Sequence, residues 1–276
     1  MFKIKTAEER MNEKKPIKGA IFGPHGIGKT SLLWTCDQNT TLFLNLEGGD
    51  LAVQDCPVDS IDIQSWEDAI NMACLVTGPD PSKHPHQPYS QAHYDYVFSQ
   101  IDPGFLQKYS TIFWDSISVA SRLCWQWACG QPESFSKQEN FDPRGAYGLV
   151  GRELVRWLTH IQHTPNKNVW VVGGLDEKED DFGRRKWDPQ IEGSKAGLEL
   201  PGIFDEVISM VMMQGENGGE PYRAFVCQKL NPWNYPAKDR SGRLQMVEEP
   251  HLGRLMDKIN QPKPQQNFQT TIEQEV

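Results

Sequence analysis

IKGAIFGPHGIGKT, residues 17 to 30, decides the fold. A short apolar run, IKGAIF, leads directly into GPHGIGKT, which satisfies the phosphate-loop pattern G-x-x-x-x-G-K-[ST]. Gly23 and Gly28 let the backbone turn tightly enough for successive N–H groups to point inward, and the start of a following helix adds a favourable partial charge. The loop is then an anion cradle. Lys29 is placed to reach the β- and γ-phosphates, and the Thr30 hydroxyl to sit on Mg²⁺. Pro24, His25, Gly26, Ile27 and Ser31 complete the candidate nucleotide-contact set, with ATP and Mg²⁺ as the implied ligands. The cradle is built from backbone, so the His25 side chain is expected to point away and carries no chemistry.

Working outward, short apolar runs alternate with helical patterns, the signature of a parallel sheet with crossover helices, so the fold class is α/β. Strands are expected at 17–22, 41–47, 60–63, 111–115, 168–174 and 207–213. PYRAFVCQ (221–228) follows the turn sequence GENGG (215–219) and reads as the antiparallel partner of the strand before it. Helices are expected after the phosphate loop and at 65–76, 116–128 and 145–163. In the last, Leu149, Leu154, Trp157, Leu158 and Ile161 form one apolar stripe that packs the core.

Residues 1–16 read as an N-terminal extension and 17–260 as the main domain. Pro, His, Ser, Gln and Tyr enrich 77–108, an insertion outside the sheet. Residues 261–276 hold too few apolar side chains to pack and read as a flexible tail.

The chain has 276 residues, a formal net charge of −9 and six cysteines without zinc or C-x-x-C spacing. The acidic balance argues against a generally basic nucleic-acid-coating surface, so any such site must be local. No run reaches the length of a membrane span, and a soluble, cytoplasmic protein is expected. Histidines 84, 86 and 93 match no common metal spacing.

A phosphate loop alone fits kinases, GTPases, helicases and recombinases. Asp115 ends the run TIFWD, where a carboxylate suits the Mg²⁺ shell; a helix N-cap at Asp115 or Ser116 is a compatible second role. Glu47 ends TLFLNLE before two glycines, where it can orient and deprotonate an attacking water, which implies hydrolysis; an exposed turn carboxylate is the alternative. Asp50 is a weaker candidate for the same role.

The order GPHGIGKT, a strand ending in LEGG, then IFWDSIS resembles the RecA-type recombinase core. EGSKAGLELPGIFDEVISMV (192–211) and PAKDRSGRL (236–244) are similar to phage-encoded proteins with a shortened RecA-like core, including the Sak-type single-strand annealing ATPases. The resemblance covers about residues 17 to 260 and implies a RecA-like P-loop core, mainly parallel, with a C-terminal antiparallel hairpin. It implies that Lys238 and Arg240 act as fingers on a neighbour's γ-phosphate in a ring or filament, so a homo-oligomer is expected; a solvated turn is the plain alternative. It also implies single-stranded DNA held by loops at 134–148 and 176–189. The second loop carries Arg184, Arg185, Lys186 and Trp187, a mixture of phosphate-neutralising and stacking side chains. The acids just before that triplet make a charged exposed hairpin an equal description. A single-strand-binding protein is a candidate partner.

The chain departs from this pattern after 168–174, where Gly173 and Gly174 stand in place of a polar γ-phosphate sensor. The expectation is therefore an ATP-hydrolysing protein of phage DNA recombination or annealing, with a DNA motor or a nucleotide-gated binding protein as alternatives.

Overall fold

The computed structural model describes residues 4–13, 15–101, 104–179, 183, 185–215 and 218–261. Six parallel strands form its centre: β1 (Lys18–Gly23), β2 (Thr41–Asn45), β3 (Asp59–Asp62), β4 (Thr111–Asp115), β5 (Asn168–Glu179) and β7 (Glu206–Met213). β8 (Tyr222–Val226) pairs antiparallel with β7, and β10 (Val247–Glu248) extends that edge in the order β10-β8-β7-β1-β5-β4-β2-β3. β6 (Arg185–Pro189) folds back on β5, and β9 (Lys238–Asp239) pairs with the start of β7. The sheet is thus mostly parallel with antiparallel C-terminal strands, the α/β class expected from the alternation and the P-loop core that the resemblance implied.

Apolar residues run without a break along the central strands because both faces are covered. Alternation sends Ala20, Phe22, Leu44, Trp114 and Val171 to one face and Ile21, Phe43, Phe113, Trp170 and Val172 to the other. The first face packs α2 (Trp66–Thr77), α4 (Ile117–Cys129), α5 (Pro143–Gln162) and α6 (Ser194–Ile203). The second packs Leu32, Leu33 and α7 (Leu252–Ile259).

Trp157, at the centre of the α5 stripe, donates its indole N–H to the Ala69 carbonyl at 3.1 Å and meets Trp114 edge-on at 5.0 Å. Gly19 is required by the other face: a Cβ there would lie 2.2 Å from the Trp170 ring, which fills the space against Met256.

Two sequence expectations change. The segment after the phosphate loop is a short 3-10 helix, Thr30–Thr35, closed by Leu32 N–H to Lys29 O and Cys36 N–H to Leu33 O. The Thr35 hydroxyl donates to the Leu32 carbonyl at 2.7 Å and accepts the Leu252 N–H at 2.9 Å, which closes the segment after six residues, and with it the axial dipole expected at the loop is shortened. β2 ends at Asn45, so Glu47 lies past the strand on an exposed turn. β3 is an edge strand with largely exposed residues, paired only through β2.

Elements the patterning missed include α1 (Ala7–Asn12), α3 (Gln91–Phe98), α6, α7 and the short strands β6, β9 and β10. The described part of 77–108 contributes no strand; its Tyr89 is buried and stacks on His160 at 3.9 Å. All of the proposed tail beyond residue 261 lies outside the described residues.

Candidate active site

The loop leaves β1 at Gly23, where a Cβ would stand 2.5 Å from the Met210 carbonyl oxygen on β7. Gly26 and Gly28 have φ of +76° and +102°, a region that favours glycine. Ile27 is buried and pins the loop to the second core face, while His25 and Gly26 are exposed and Pro24 and Ser31 are half-buried. Lys29 Nζ donates to the carbonyls of Gly23 at 2.9 Å and Pro24 at 3.0 Å. Burial lowers the Lys29 pKa, opposed by the nearby charges of Asp115 and Glu47.

Asp115 sits at the end of β4, with β5 between it and β1. It is 2% exposed and accepts a 2.5 Å hydrogen bond from the Thr30 hydroxyl. Burial pushes its carboxyl up to about 6, with the Glu47 charge adding and the Thr30 bond and Lys29 opposing. A hydroxyl beside a carboxylate is the hard-oxygen set that Mg²⁺ takes, so Thr30 and Asp115 fit the metal.

Ser116 joins the two acids. Its hydroxyl donates to Glu47 Oε1 at 2.6 Å and accepts the Val119 N–H at 3.3 Å as the N-cap of α4. The Asp115 carbonyl accepts the N–H groups of Leu46 at 2.6 Å and Glu47 at 3.2 Å. Asn45 then accepts the Gly48 N–H at 3.0 Å, closing the turn that carries Glu47. Lys29, Thr30, Asp115, Ser116 and Glu47 therefore form one connected group, although they come from three strand ends.

The departure at Gly173 and Gly174 has a structural counterpart. Gly174 lies level with Gly23, and a Cβ on it would be 2.4 Å from Gln190 Oε1. Gln190 arrives from β6, donating its N–H to the Gly174 carbonyl at 2.9 Å, and its Oε1 is buried with no partner among the described residues. A polar carboxamide thus reaches the middle of β5, level with the end of β1, from sixteen residues further along the chain. The sequence signal was Gly174, which makes room for it; the space beside Gly173 is filled instead by Ile117 and Phe22.

The remaining candidates lie apart from this group. Lys238 Nζ donates to the carbonyls of Phe204, at 2.7 Å, and Pro201, capping the C-terminal end of α6. Arg240 pairs with Asp205 at 2.6 Å. Lys238 is opposite Val207, about 10 Å of strand before the loop level at Met210, so neither cation serves its own phosphate loop.

On the β5–β6 hairpin, Arg185 pairs with Glu177 at 3.1 Å and Lys186 with Asp188 at 2.8 Å. Trp187 is half-buried against Tyr235, ring to ring at 5.0 Å, rather than an open stacking surface. Arg184 lies outside the described residues. Phe135 and Phe141 contact each other edge-on at 6.0 Å. His93 is held by Asn71 and by the Tyr89 N–H, a structural role. Cavities of about 530 and 900 Å³ open at the opposite end of the strands from the loop.

Loop, buried strand-end carboxylate and mixed sheet together define a P-loop nucleotide-binding ATPase domain. Residues 15–241 match the family model AAA_24, described as an AAA domain, and the chain belongs to that family. No curated protein matches. Among solved structures, the chain is similar to the KaiC-like protein PH0186 from the hyperthermophilic archaeon Pyrococcus horikoshii OT3. The two share 11% identity over 80% of this chain and 82% of that one, with a TM-score of 0.35. No helix among the described residues is long and apolar enough to cross a membrane.

Proposed function

We propose that this chain is a Mg²⁺-dependent ATPase that hydrolyses ATP as an assembled homo-oligomer and works on single-stranded DNA in phage recombination or annealing. The observation that carries the hydrolytic part is the Ser116 bond to Glu47, which holds a second, exposed carboxylate beside the buried Asp115. One acid, buried and joined to a hydroxyl, suits a cation; the other, exposed, suits a water.

In this reading Lys29 exchanges the carbonyls of Gly23 and Pro24 for phosphate oxygens, and the loop N–H groups orient the chain of phosphates. Thr30 and Asp115 would hold magnesium, which would supply neutralisation of the phosphate charge. Glu47 orients the attacking water and takes its proton, with Ser116 fixing the carboxylate's direction. Lys238 and Arg240 act on a neighbouring subunit, which requires each to leave its present partners.

The phage and DNA assignments rest on the sequence resemblance. The ion pairs of Arg185 and Lys186 weaken the hairpin as a DNA contact, because both cations are already neutralised within it.

The same internal pairing of Lys238 and Arg240 favours a second reading, in which ATP orders a surface for a partner and turnover is incidental. Measuring the ATPase rate against single-stranded DNA and protein concentration together separates the two. Stimulation by DNA with a steep dependence on protein concentration supports the first, and ATP binding with negligible turnover under every condition sinks it in favour of the second.

A further inference from the structure

The β7–β8 hairpin runs past the end of β1 and overhangs the phosphate loop. Gly23 packs on the Met210 carbonyl, and β7 continues for three further residues to Met213. Met212 and Arg223 face each other across the pair, so their side chains leave the same face of the sheet. Alternation makes this the face of Met210 and Phe225, which are buried in one cluster with the loop's Ile27. Met212 is 51% exposed and Arg223 is exposed, so together they form a ledge beside the loop.

The guanidinium lies directly on the loop. A Cβ built on Gly28 would meet Arg223 Nη1 at 3.0 Å and Cζ at 3.5 Å. Arg156, Arg240 and Arg254 each pair with a carboxylate, whereas the Arg223 side chain has no ion pair or hydrogen bond among the described residues. An unneutralised cation held against a backbone anion cradle, in a chain of net charge −9, is an anion-binding arrangement.

We propose that Arg223 binds the polyphosphate of the nucleotide from its own subunit, approaching from the β7–β8 ledge on the opposite side of the loop strand from Asp115. This rests on the reading of the loop as a nucleotide site and adds a contact that the loop pattern does not contain. Guanidinium offers a planar fork of donors, which suits paired phosphate oxygens better than an ammonium does. The contact is to phosphate, so it serves ATP and ADP alike and does not depend on the base.

The test titrates inorganic tripolyphosphate, ADP and ATP, with magnesium present throughout, into the full chain and into Arg223→Ala and Arg223→Gln by calorimetry. Both variants are expected to weaken all three ligands by about tenfold or more, the effect of one lost charge-assisted bond. Thermal midpoints of the ligand-free proteins should agree, since the side chain is exposed and holds no partner among the described residues. Affinities within twofold of wild type for all three overturn the assignment. So does a loss confined to ATP and ADP with tripolyphosphate unchanged, which would place Arg223 on the base or sugar. Failure of the wild-type chain to bind any of the three overturns both this contact and the nucleotide reading.

Discussion

Replacing Glu206 by glutamine should stabilise the protein at neutral and alkaline pH and flatten its stability profile. Glu206 is 1% exposed at the start of β7, accepts the Ser241 N–H at 3.1 Å through Oε1, and faces the Asp239 carboxylate. Asp239 accepts three hydrogen bonds, from Ser241 Oγ at 2.6 Å, Gly242 N at 2.8 Å and Leu244 N at 2.9 Å, and its pKa is lowered. The pair therefore holds one proton, on Glu206, whose carboxyl is pushed up to about 8 by burial first and by Asp239 second.

An unfolded Glu206 has an ordinary value near 4.5, so between pH 4.5 and 8 the folded state keeps a proton that the unfolded state loses. Stability from this site is complete below 4.5 and falls as the pH rises to about 8. At about 1.4 kcal/mol per pH unit the ceiling is about 3 kcal/mol at pH 7, and coupling to Asp239 brings the expected cost nearer 1 to 2 kcal/mol. Glutamine keeps the Oε1 acceptor for Ser241 and offers an N–H to Asp239 without ionising.

Urea unfolding at pH 5, 6, 7 and 8 provides the measurement. The gap in midpoint between Glu206→Gln and wild type should widen with pH, because the titrating groups other than its coupled neighbour Asp239 contribute equally to both proteins. Parallel profiles, or a variant less stable at pH 8, would refute the shared-proton argument. The same segment carries Lys238 and Arg240, the cations proposed to act on a neighbouring subunit.

Four further outcomes follow from the active-site geometry. Lys29→Ala should reduce ATP hydrolysis by at least about a hundredfold, measured as phosphate release, as expected when a positioned phosphate cation is removed. Glu47→Gln should leave ATP binding within a few-fold by calorimetry while abolishing turnover, and equal losses in both would reject the water-orienting role. Ser116→Ala should lower stability by about 1 kcal/mol through the lost N-cap and also slow turnover, whereas an unchanged rate would show that Glu47 needs no orientation. If Arg240 acts on a neighbour, mixing Arg240→Ala with Glu47→Gln should restore hydrolysis that neither variant has alone; a mixture as inactive as its components would count against trans action.

Much of the domain was legible because its signals are local. The phosphate loop needs glycines at fixed spacing, the buried strands need unbroken apolar runs, and the α5 stripe needs helical periodicity; each appears within a single segment. Asp115 and Glu47 were readable for the same reason, as acids closing apolar runs.

Tertiary structure decided how those segments meet. Ser116 links Glu47 to the Asp115 turn only because β2 and β4 are neighbours, and no spacing encodes that bond. Gln190 fills the place left by Gly174 through a hairpin return, and Arg223 reaches Gly28 through an overhanging strand pair. Lys238 and Arg240, readable as free cations in a KDR turn, have partners supplied by α6 and Asp205. Residue types and local periodicity thus determined the class of loop and sheet, while pairing between distant segments determined which charges are neutralised and which, like Arg223, remain free among the described residues to meet a ligand.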